Sequence, residues 1–400
     1  MRPKNLTLLT VLALAVFAFS SVRAAALEKI IYYFNNAGGG YPYASLILKG
    51  GNLYGSAAGA GEYDNGTIFE LSPNGDTWTE TVLYAFTGGL DGSTPLSDLI
   101  FDSAGNIYGT TYWGGAYGVG VVFELSASES GWTETVLHSF RNGGGSASAQ
   151  PNRLTFQGGK LYGTTSNGGL FGLGSAFELV HSDRGWTENV IWNFDGPPSG
   201  GTPVGGLVFD AQGNLYGAAF GGGSGGGGVI FELLPLGDGS WGAKVLYAFP
   251  CCGSEDGSGP VGLTLGKDGN FYGTAGYGGT GVCPGFPGCG TVWQLSHSSS
   301  GWTETTLYNF AGGSDGIGSN SDLLLNQAGN IYGTTNGGVT SDSVVFKLTP
   351  STSGWSKTTL LDLGTEDVLK AGVIAGPDGS LIGANSEGGQ NYGYVFEVSQ

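Results

Sequence analysis

Leu53-Tyr54-Gly55-Ser56 is the first copy of a short phrase in which an apolar residue precedes Tyr-Gly and a small residue. Five further copies and one degenerate copy follow, at Ile107-Tyr108-Gly109-Thr110, Leu161-Tyr162-Gly163-Thr164, Leu215-Tyr216-Gly217-Ala218, Phe271-Tyr272-Gly273-Thr274, Ile331-Tyr332-Gly333-Thr334 and Leu381-Ile382-Gly383-Ala384. Successive copies lie 54, 54, 54, 56, 60 and 50 residues apart. A fixed period of this length is typical of a repeat architecture, because one unit cannot bury its own apolar face and must stack on its neighbours. The phrase therefore predicts seven stacked repeats.

Each repeat contains four short runs of β-branched and aromatic residues separated by turn residues, as residues 132–185 illustrate. We name these runs strand a, before a tight turn; strand b, with Tyr-Gly; strand c, resembling Val-Phe-Glu-Leu; and strand d, which begins with Trp. Four strands per unit without helical periodicity are typical of a propeller blade. The sequence predicts an all-β fold, a seven-bladed β-propeller of four-stranded antiparallel blades, with strand a innermost.

The two ends of the chain carry unmatched strands. Residues 28–34 align with strand d of the repeats, and residues 394–398 align with strand c. We expect the N-terminal strand to complete the last blade, because this closes the ring and leaves no open sheet edge. Residues 27–400 are thus predicted to form a single propeller domain.

Residues 1–26 have the pattern of a secretory signal peptide. Arg2 and Lys4 precede the apolar stretch 6–20, and small residues around 22–26 offer a cleavage site. The alternative is an uncleaved membrane anchor, but the stretch is shorter than the roughly 20 residues that span a bilayer. We therefore expect a secreted, periplasmic or cell-exterior protein that is not inserted in the membrane after cleavage.

Composition limits the partners. Lys and Arg total 14 against 32 Asp and Glu, a net charge of −18. Nucleic acid binding requires a basic surface, so a nucleic acid partner is not expected. We expect a monomer whose ligand is a glycan or a protein.

The combined motifs resemble the GloVer (Gloeo/Verruco) tandem-repeat family of exported bacterial proteins, often described as "choice-of-anchor" proteins. The resemblance is carried by residues 102–111, Val121-Val122-Phe123-Glu124-Leu125, residues 131–137 and residues 88–95, and it covers about residues 28–400. It implies export and a repeat fold, and it implies no particular activity. The C-terminal sorting tail of many members is absent here, so surface anchoring is not implied.

Antiparallel order places the b–c loops and the d–a loops on one face of the ring, and these loops are the variable, Gly-rich ones. Binding residues are more often found on variable loops than on a repeated scaffold. Aromatic side chains there are suited to stacking against sugars, although they also suit packing over the Gly-rich loops. The predicted ligand-binding residues are Tyr112, Trp113, Tyr117 and Tyr277.

Four d–a loops carry Asp-Gly at one register, with the aspartates Asp91, Asp195, Asp256 and Asp315. One hypothesis is a ring of carboxylates that binds Ca²⁺ through oxygen ligands. The other is turn formation, since Asp-Gly is a favoured turn pair. No cofactor is expected unless these aspartates bind Ca²⁺.

Catalytic chemistry has weak support. None of the three histidines lies with a nucleophile in the variable loops. The strand-c glutamates and the strand-d tryptophans recur around the ring, which favours a structural role. The remaining acid or base candidates are Asp98, Arg153 and Asp322, which share one register early in strand a and are expected near the channel mouth.

All four cysteines, Cys251, Cys252, Cys283 and Cys289, lie in two neighbouring loops of one blade. An even number of cysteines in an exported protein predicts disulfides, here with three possible connectivities. A zinc site is the alternative, although two adjacent cysteines suit one tetrahedral ion poorly.

Two functions fit these observations. The leading hypothesis is a non-catalytic exported binding or scaffold protein that recognises a glycan or a protein through the variable face. The alternative is a propeller enzyme, a polysaccharide or lactone-type lyase or hydrolase, with its site at the channel mouth.

Overall fold

A computed structural model describes residues 28–141, 148–251, 253–319, 321–337, 341–388 and 391–399. The predicted signal peptide and Cys252 lie outside these residues. The strands, in chain order, are β1 (Glu28–Tyr33); β2 (Ile47–Lys49), β3 (Asn52–Ala57), β4 (Thr67–Asn74), β5 (Thr77–Ala85); β6 (Ile100–Phe101), β7 (Ile107–Thr111), β8 (Val121–Ser128), β9 (Gly131–Ser139); β10 (Ser148–Pro151), β11 (Thr155–Gln157), β12 (Lys160–Gly168), β13 (Ser175–Ser182), β14 (Gly185–Asn193); β15 (Gly201–Phe209), β16 (Leu215–Gly221), β17 (Gly226–Pro235), β18 (Trp241–Pro250); β19 (Ser258–Pro260), β20 (Thr264–Leu265), β21 (Phe271–Tyr277), β22 (Thr291–Ser298), β23 (Gly301–Asn309); β24 (Leu324–Leu325), β25 (Ile331–Thr334), β26 (Val344–Ser351), β27 (Gly354–Asp362); β28 (Ile374–Ala375), β29 (Leu381–Asn385) and β30 (Tyr394–Val398).

These strands form seven antiparallel sheets, which we number as blades 1 to 7 in chain order, and the predicted seven-bladed β-propeller is confirmed. Each blade runs from strand a at the centre to strand d at the rim. In blades 3 and 5 strand a consists of two short segments, β10 with β11 and β19 with β20. The interruptions fall at residues 152–154 and 261–263, where the chain passes the central channel.

The seventh blade is closed by the N-terminal strand, as predicted. Its order is β1-β30-β29-β28, and β1 pairs antiparallel with β30 from Glu28↔Val398 to Tyr33↔Tyr394. The outer edge of β30 is therefore covered by the first described strand of the chain.

The hydrophobic core is divided into clusters between adjacent blades. The cluster between blades 1 and 2, for example, joins Ile68 and Phe86 of one blade to Leu99, Ile107 and Phe123 of the next, each at most 2% exposed. Each blade thus buries its faces against two neighbours, which is why a single repeat is not expected to be stable alone.

The glycine of the Tyr-Gly phrase faces an aromatic ring of strand c. Gly109 of strand b pairs directly with Phe123 of strand c, and a Cβ placed on Gly109 would lie 2.6 Å from the Phe123 ring. The same cross-strand pair occurs in every blade, with Trp293 replacing the phenylalanine opposite Gly273 in blade 5. The other glycine–phenylalanine pairs are Gly55–Phe69, Gly163–Phe177, Gly217–Phe231, Gly333–Phe346 and Gly383–Phe396.

In blades 1 and 4 the tyrosine of the phrase is hydrogen-bonded to the glutamate of strand c. The Tyr54 hydroxyl donates a hydrogen bond to Glu70 at 2.7 Å, and the Tyr216 hydroxyl donates one to Glu232 at 2.8 Å. Burial and the neighbouring Glu178 carboxylate raise the pKa of Tyr162 to about 12. These contacts give the repeated glutamates a structural role.

No helix that is long and apolar enough to cross a membrane occurs among the described residues.

Candidate functional site

The b–c and d–a loops meet on one face of the ring, which we call the loop face. In blade 2 the backbones of Ser93, in the d–a loop, and Trp113, in the b–c loop, exchange two hydrogen bonds of 2.9 and 3.1 Å. Gly40 and Gly59 make a corresponding bridge beside blade 1. The two sets of loops therefore support each other around the mouth of the central channel.

A cavity of about 400 Å³ occupies this mouth. Residues in strand a or just before it contribute to the cavity from all seven blades, because strand a is innermost everywhere. Its aromatic lining consists of Tyr43, Tyr112 and Phe220, and Ser97 and Asn152 contribute polar groups. Tyr112 and Phe220 hold the same register, four residues after the tyrosine of the repeated phrase. The cavity thus combines aromatic surface with hydrogen-bonding groups at one point.

An ion-pair cluster forms part of the cavity lining. The Arg153 guanidinium, from blade 3, contacts the Asp98 carboxylate of blade 2 at 2.8 Å and the Asp322 carboxylate of blade 6 across the channel. Burial disfavours the charge on Arg153, but the carboxylates of Asp322 and Asp98 outweigh this effect and raise its pKa above the ordinary value. The structure thus brings together the three candidates that share one register of strand a.

Both carboxylates of this cluster also accept backbone hydrogen bonds from the preceding blade. The Ser45 amide donates to Asp98 at 2.7 Å, and the Leu263 amide donates to Asp322 at 3.1 Å. The Ser45 hydroxyl holds the same register in blade 1 and accepts from the Gly372 amide at 3.2 Å. Polar side chains at this register therefore fasten one innermost strand to the one before it.

Glycine at this register in blade 4 makes room for the arginine. A Cβ on Gly206 would lie 2.6 Å from Nε of Arg153. The guanidinium crosses the channel because this position carries no side chain.

Lys370 of blade 7 adds a second positive charge to the cavity wall. It has no hydrogen-bond partner among the described residues, and Glu387 at the rim is the carboxylate that acts on it. Burial lowers the pKa of Lys370, and Glu387 opposes this shift. The Tyr43 hydroxyl reaches the same glutamate at 3.4 Å. Burial, followed by the charge of Glu387, raises the pKa of Tyr43.

The four predicted ligand-binding aromatics take different positions on the loop face. Tyr112 lines the cavity, and its ring meets that of the exposed Trp113 edge to face at 4.9 Å. Tyr277 lies 5.9 Å from Phe220, which also lines the cavity. Tyr117 is 60% exposed and does not line the cavity. Three of the four are thus at the cavity or next to an aromatic residue that lines it.

The Asp-Gly aspartates are bound by their own loops and the adjoining strands, with Lys357 of the next blade as a further partner of Asp315, and they do not line the central cavity. Asp91 accepts hydrogen bonds from the Thr87 amide at 2.7 Å and from the Tyr84 hydroxyl at 3.0 Å. Burial works against the ionised form, but the bonds from Thr87 and Tyr84 outweigh it and lower the pKa of Asp91. The corresponding donors elsewhere are Ser199 to Asp195, Tyr247 to Asp256, and Tyr308 and Ala311 to Asp315. In the described part of the chain no three His, Cys, Asp or Glu side chains gather in a way that suits a metal ion.

Cys283 and Cys289 form a disulfide within the b–c loop of blade 5. Of the connectivities left open by the sequence, those that join either of these cysteines to Cys251 or Cys252 are thereby wrong. Cys251 is exposed, and Cys252 lies outside the described residues. Both bonded cysteines are at most 5% exposed, so the bridge fixes the base of its loop.

Lys370 is the cavity residue for which the sequence carried no motif. It corresponds in register to Leu96 of blade 2, two residues before the position of Asp98. Alignment of the repeats would have placed it beside the channel, but nothing local to residue 370 marks it. Tyr43 and Phe220 are marked only by being aromatic residues in or beside a variable loop.

A central cavity on one face of a closed ring of seven blades defines the chain as a β-propeller with its candidate site at the channel mouth. The chain belongs to the Gloeobacter/Verrucomicrobia repeat family, whose model matches residues 15–196 and 150–396. The resemblance in the repeated motifs is thereby confirmed.

Solved structures share the fold at low sequence identity. A polysaccharide lyase, an ulvan lyase, is similar at a TM-score of 0.58 and 14% identity, with 92% of this chain and 95% of that chain covered. A protein from Lactobacillus plantarum is similar at a TM-score of 0.52 and 17% identity, with 81% and 85% covered. A candidate 6-phosphogluconolactonase from Bacteroides uniformis is similar at 0.51 and 17%, with 79% and 84% covered. No curated protein sequence matches the chain.

Proposed function

We propose that this chain is an exported, non-catalytic carbohydrate-binding propeller, monomeric, whose central cavity on the loop face takes sugar units. The observation that carries the proposal is the convergence of Tyr43, Tyr112 and Phe220 with Ser97 and Asn152 in one cavity. Aromatic rings pack on the apolar faces of pyranoses, while hydroxyl and amide groups bind the sugar hydroxyls.

The cavity volume supports a small ligand or the end of a larger one. Ligand pockets occupy about 300–1,000 Å³, and the volume of about 400 Å³ here lies near the lower limit. The cavity therefore suits one or two sugar units, with the remainder of a longer glycan on the surrounding loops.

The ion-pair cluster supports binding over catalysis. A general acid or base must be able to exchange a proton with the substrate. Asp98 and Asp322 are each engaged by Arg153 and by a backbone amide, so these contacts already occupy both side chains. Their role in the proposed function is to hold the channel together beneath the ligand.

Export is supported by the disulfide between Cys283 and Cys289, because disulfides persist in oxidising compartments. The signal-peptide pattern of residues 1–26 points in the same direction. In this proposal the mature chain acts outside the cytoplasm, where polysaccharides are accessible.

The test is a glycan array followed by titration calorimetry with the glycans that bind. Tyr112→Ala and Phe220→Ala are expected to weaken binding about tenfold or more, the equivalent of about 1.4 kcal/mol. Phe156→Ala is the matched control, because Phe156 is an exposed aromatic residue that does not line the cavity. An array without any binder, or a protein ligand unaffected by the two cavity variants, would contradict the proposal.

A polysaccharide lyase is the second candidate function. The observation that favours it is Lys370, an amine in the cavity whose pKa is lowered by burial and which lies near the Tyr43–Glu387 pair. Lyases remove a proton next to a carboxylate and need a base of this kind. The ulvan lyase with the same fold makes ulvan the first substrate to try. Appearance of an unsaturated product that disappears in Lys370→Met would establish this function in place of the first.

A further inference from the structure

We propose that the row of aromatic side chains Phe220, Tyr277 and Phe286 extends the central cavity into a binding track for a neutral, linear polysaccharide that enters the cavity by its chain end. The inference rests on the proposed carbohydrate-binding function and deepens it. It assigns the ligand class and the direction in which the chain leaves the cavity.

The three rings form a continuous series from the cavity outward. Phe220 lines the cavity at the end of strand b of blade 4. Its ring lies 5.9 Å from that of Tyr277, which ends strand b of blade 5. The Tyr277 ring lies 6.2 Å from that of Phe286, with only 20° between their planes. Phe286 is 48% exposed, so the series ends at the protein surface.

Glycines of blade 5 make room for the Phe220 ring. Gly276 holds the register that Tyr112 and Phe220 occupy in their own blades, so no side chain projects there. A Cβ on Gly259 would lie 2.8 Å from the Phe220 ring, and one on Gly276 would lie 4.0 Å from it. The Phe220 ring therefore packs on the backbone of blade 5, on the side of the cavity where Tyr277 lies.

The loop that carries Phe286, the outermost aromatic residue of the track, is fixed in place. The Cys283–Cys289 disulfide closes the loop that carries Phe286, and the Phe286 amide donates to the Cys283 carbonyl at 3.1 Å. The Gly278 amide donates to the Pro287 carbonyl at 2.6 Å, which ties this loop to the residue after Tyr277. An exposed aromatic side chain on a rigid loop loses little conformational entropy on binding, which favours it as a binding platform.

The charge of the protein selects an uncharged ligand. The three rings present no ionised group, and the net charge of −18 repels a polyanionic chain. A neutral polysaccharide offers successive apolar pyranose faces without this penalty. Because the central cavity holds one or two units and the track starts at its wall, the end of the chain lies in the cavity and the following units lie on Tyr277 and Phe286.

The test is titration calorimetry with cello-, manno- and xylo-oligosaccharides from the dimer to the hexamer. Wild-type affinity is expected to rise about tenfold beyond the dimer, as rings outside the cavity are engaged. Phe286→Ala should abolish this gain with length and leave the affinity for the dimer unchanged. Phe220→Ala should weaken the dimer and the hexamer alike.

Phe171→Ala is the matched control. Phe171 is 54% exposed on the loop face, but it belongs to blade 3 and lies outside the track, so both affinities should stay at the wild-type value. A Cys283→Ser/Cys289→Ser variant that folds should lose part of the length gain, because its loop is less rigid. Two results would overturn the track and leave the proposed function standing. One is an affinity that is the same for the dimer and for longer oligosaccharides, and the other is a Phe286→Ala variant whose affinity still rises with oligosaccharide length as in wild type. Failure of every oligosaccharide to bind would overturn the track, and it would overturn the proposed function as well if the glycan array also contains no binder.

Discussion

At the residue scale, the glycine of the repeated phrase has a steric cause. A Cβ at these positions would lie 2.3 to 2.7 Å from an aromatic ring of strand c in every blade. Aromatic side chains opposite glycine compensate for the missing side chain in a β-sheet. The phrase is therefore half of a two-strand motif, and its other half is the phenylalanine of strand c.

Gly109→Ala tests this pairing. We expect the free energy of unfolding to fall by about 1–3 kcal/mol, the usual cost of overpacking a core, because the Phe123 ring would have to move. Urea denaturation measures the change. Gly237→Ala is the control, since a Cβ there would meet nothing within 4 Å.

A second variant distinguishes overpacking from a backbone effect. In Gly109→Ala/Phe123→Leu the smaller side chain of leucine removes the clash with the new Cβ. The loss in free energy of unfolding of the double variant should therefore be smaller than the sum of the losses in the two single variants. Strict additivity would show that the ring is not the reason for the glycine.

The candidate site could be predicted only in part, because it depends on both register and ring geometry. Repeat alignment places Asp98, Arg153 and Asp322 at one level of strand a. Arg153 joins blade 2 to blade 6 because the blades are arranged in a ring and because Gly206 has no side chain to block the guanidinium. Neither condition can be read from a local sequence pattern. The Cys283–Cys289 pairing likewise depends on the fold of one loop, and Lys370 belongs to no motif.

At the element scale, a phenylalanine at the end of strand d links a blade to the next one at six of the seven junctions, and Leu363 takes this position in blade 6. Phe86 meets the Phe123 ring of blade 2 edge to face at 5.2 Å, and Phe140 meets Phe177 of blade 3 in the same way at 5.2 Å. Both phenylalanines are at most 1% exposed. Edge-to-face pairs of this kind add about 0.5–1.5 kcal/mol beyond their buried area. Because the partner ring is the one that covers the Tyr-Gly glycine, packing within a blade and between blades is one continuous arrangement.

Glutamates of the outer strands are a second feature that the blades share. Glu28, Glu80, Glu134 and Glu188 each have a buried Oε1 atom without a hydrogen-bond partner among the described residues. Burial, and then the nearby Asp91 carboxylate, raises the pKa of Glu134 to about 7. Burial and Asp256 raise the pKa of Glu304 to about 7 as well. Ionising Glu134 and Glu304 at neutral pH therefore opposes folding.

The expected consequence is a stability that falls as the pH rises from about 4.5 to about 7. In that interval the folded chain keeps protons on Glu134 and Glu304 that the unfolded chain releases, so stabilisation present below 4.5 is lost as the pH passes 7. Thermal unfolding of wild type and of Glu134→Gln/Glu304→Gln across this range measures it.

The double variant should have a higher Tm at pH 8 and a smaller decrease between pH 5 and pH 8. Glu129→Gln, in an exposed turn, is the control and should follow wild type. A double variant whose Tm depends on pH as steeply as that of wild type would contradict the assignment.

Strands were predictable because period-2 apolar runs and hairpin turns are local signals, and every blade repeats them. The division of strand a in blades 3 and 5 was not. The strand is interrupted where residues such as Asn152 and Arg153 turn toward the channel. At these residues contacts in the channel replace pairing in the sheet, and the sequence of a single repeat does not show this.

At the scale of the whole molecule, closure of the ring depends on β1. Ile31 and Phe34 of the N-terminal segment are buried against Phe69 and Val395 in one cluster. The segment thus joins the last blade by hydrogen bonds and the first blade by side-chain packing.

A variant that lacks residues 28–34 tests this closure. Burial of an aliphatic or aromatic side chain contributes about 1.5–3 kcal/mol, so loss of Ile31 and Phe34 should lower the Tm markedly. The bare edge of β30 should also promote self-association. Thermal unfolding and light scattering measure the two effects.

A synthetic peptide of residues 28–35, added in trans, should restore part of the stability by pairing with β30, whereas a scrambled peptide should not. A truncated chain that remains monomeric with the wild-type Tm would show that closure by β1 is dispensable.

The pairing of β1 with β30 also sets an order of events during synthesis. Blades 1 to 6 are built from strands close together in sequence, so they can form as the chain emerges, N-terminus first. Blade 7 joins the first described strand to the last, a pairing of very long range that is slow to form. Until β30 is made, β1 has no partner, and the nascent protein displays an unsatisfied strand at each end of an open arc. Synthesis of β30 thus decides whether the product is a closed ring or an aggregation-prone intermediate, which makes its arrival the point at which folding is committed.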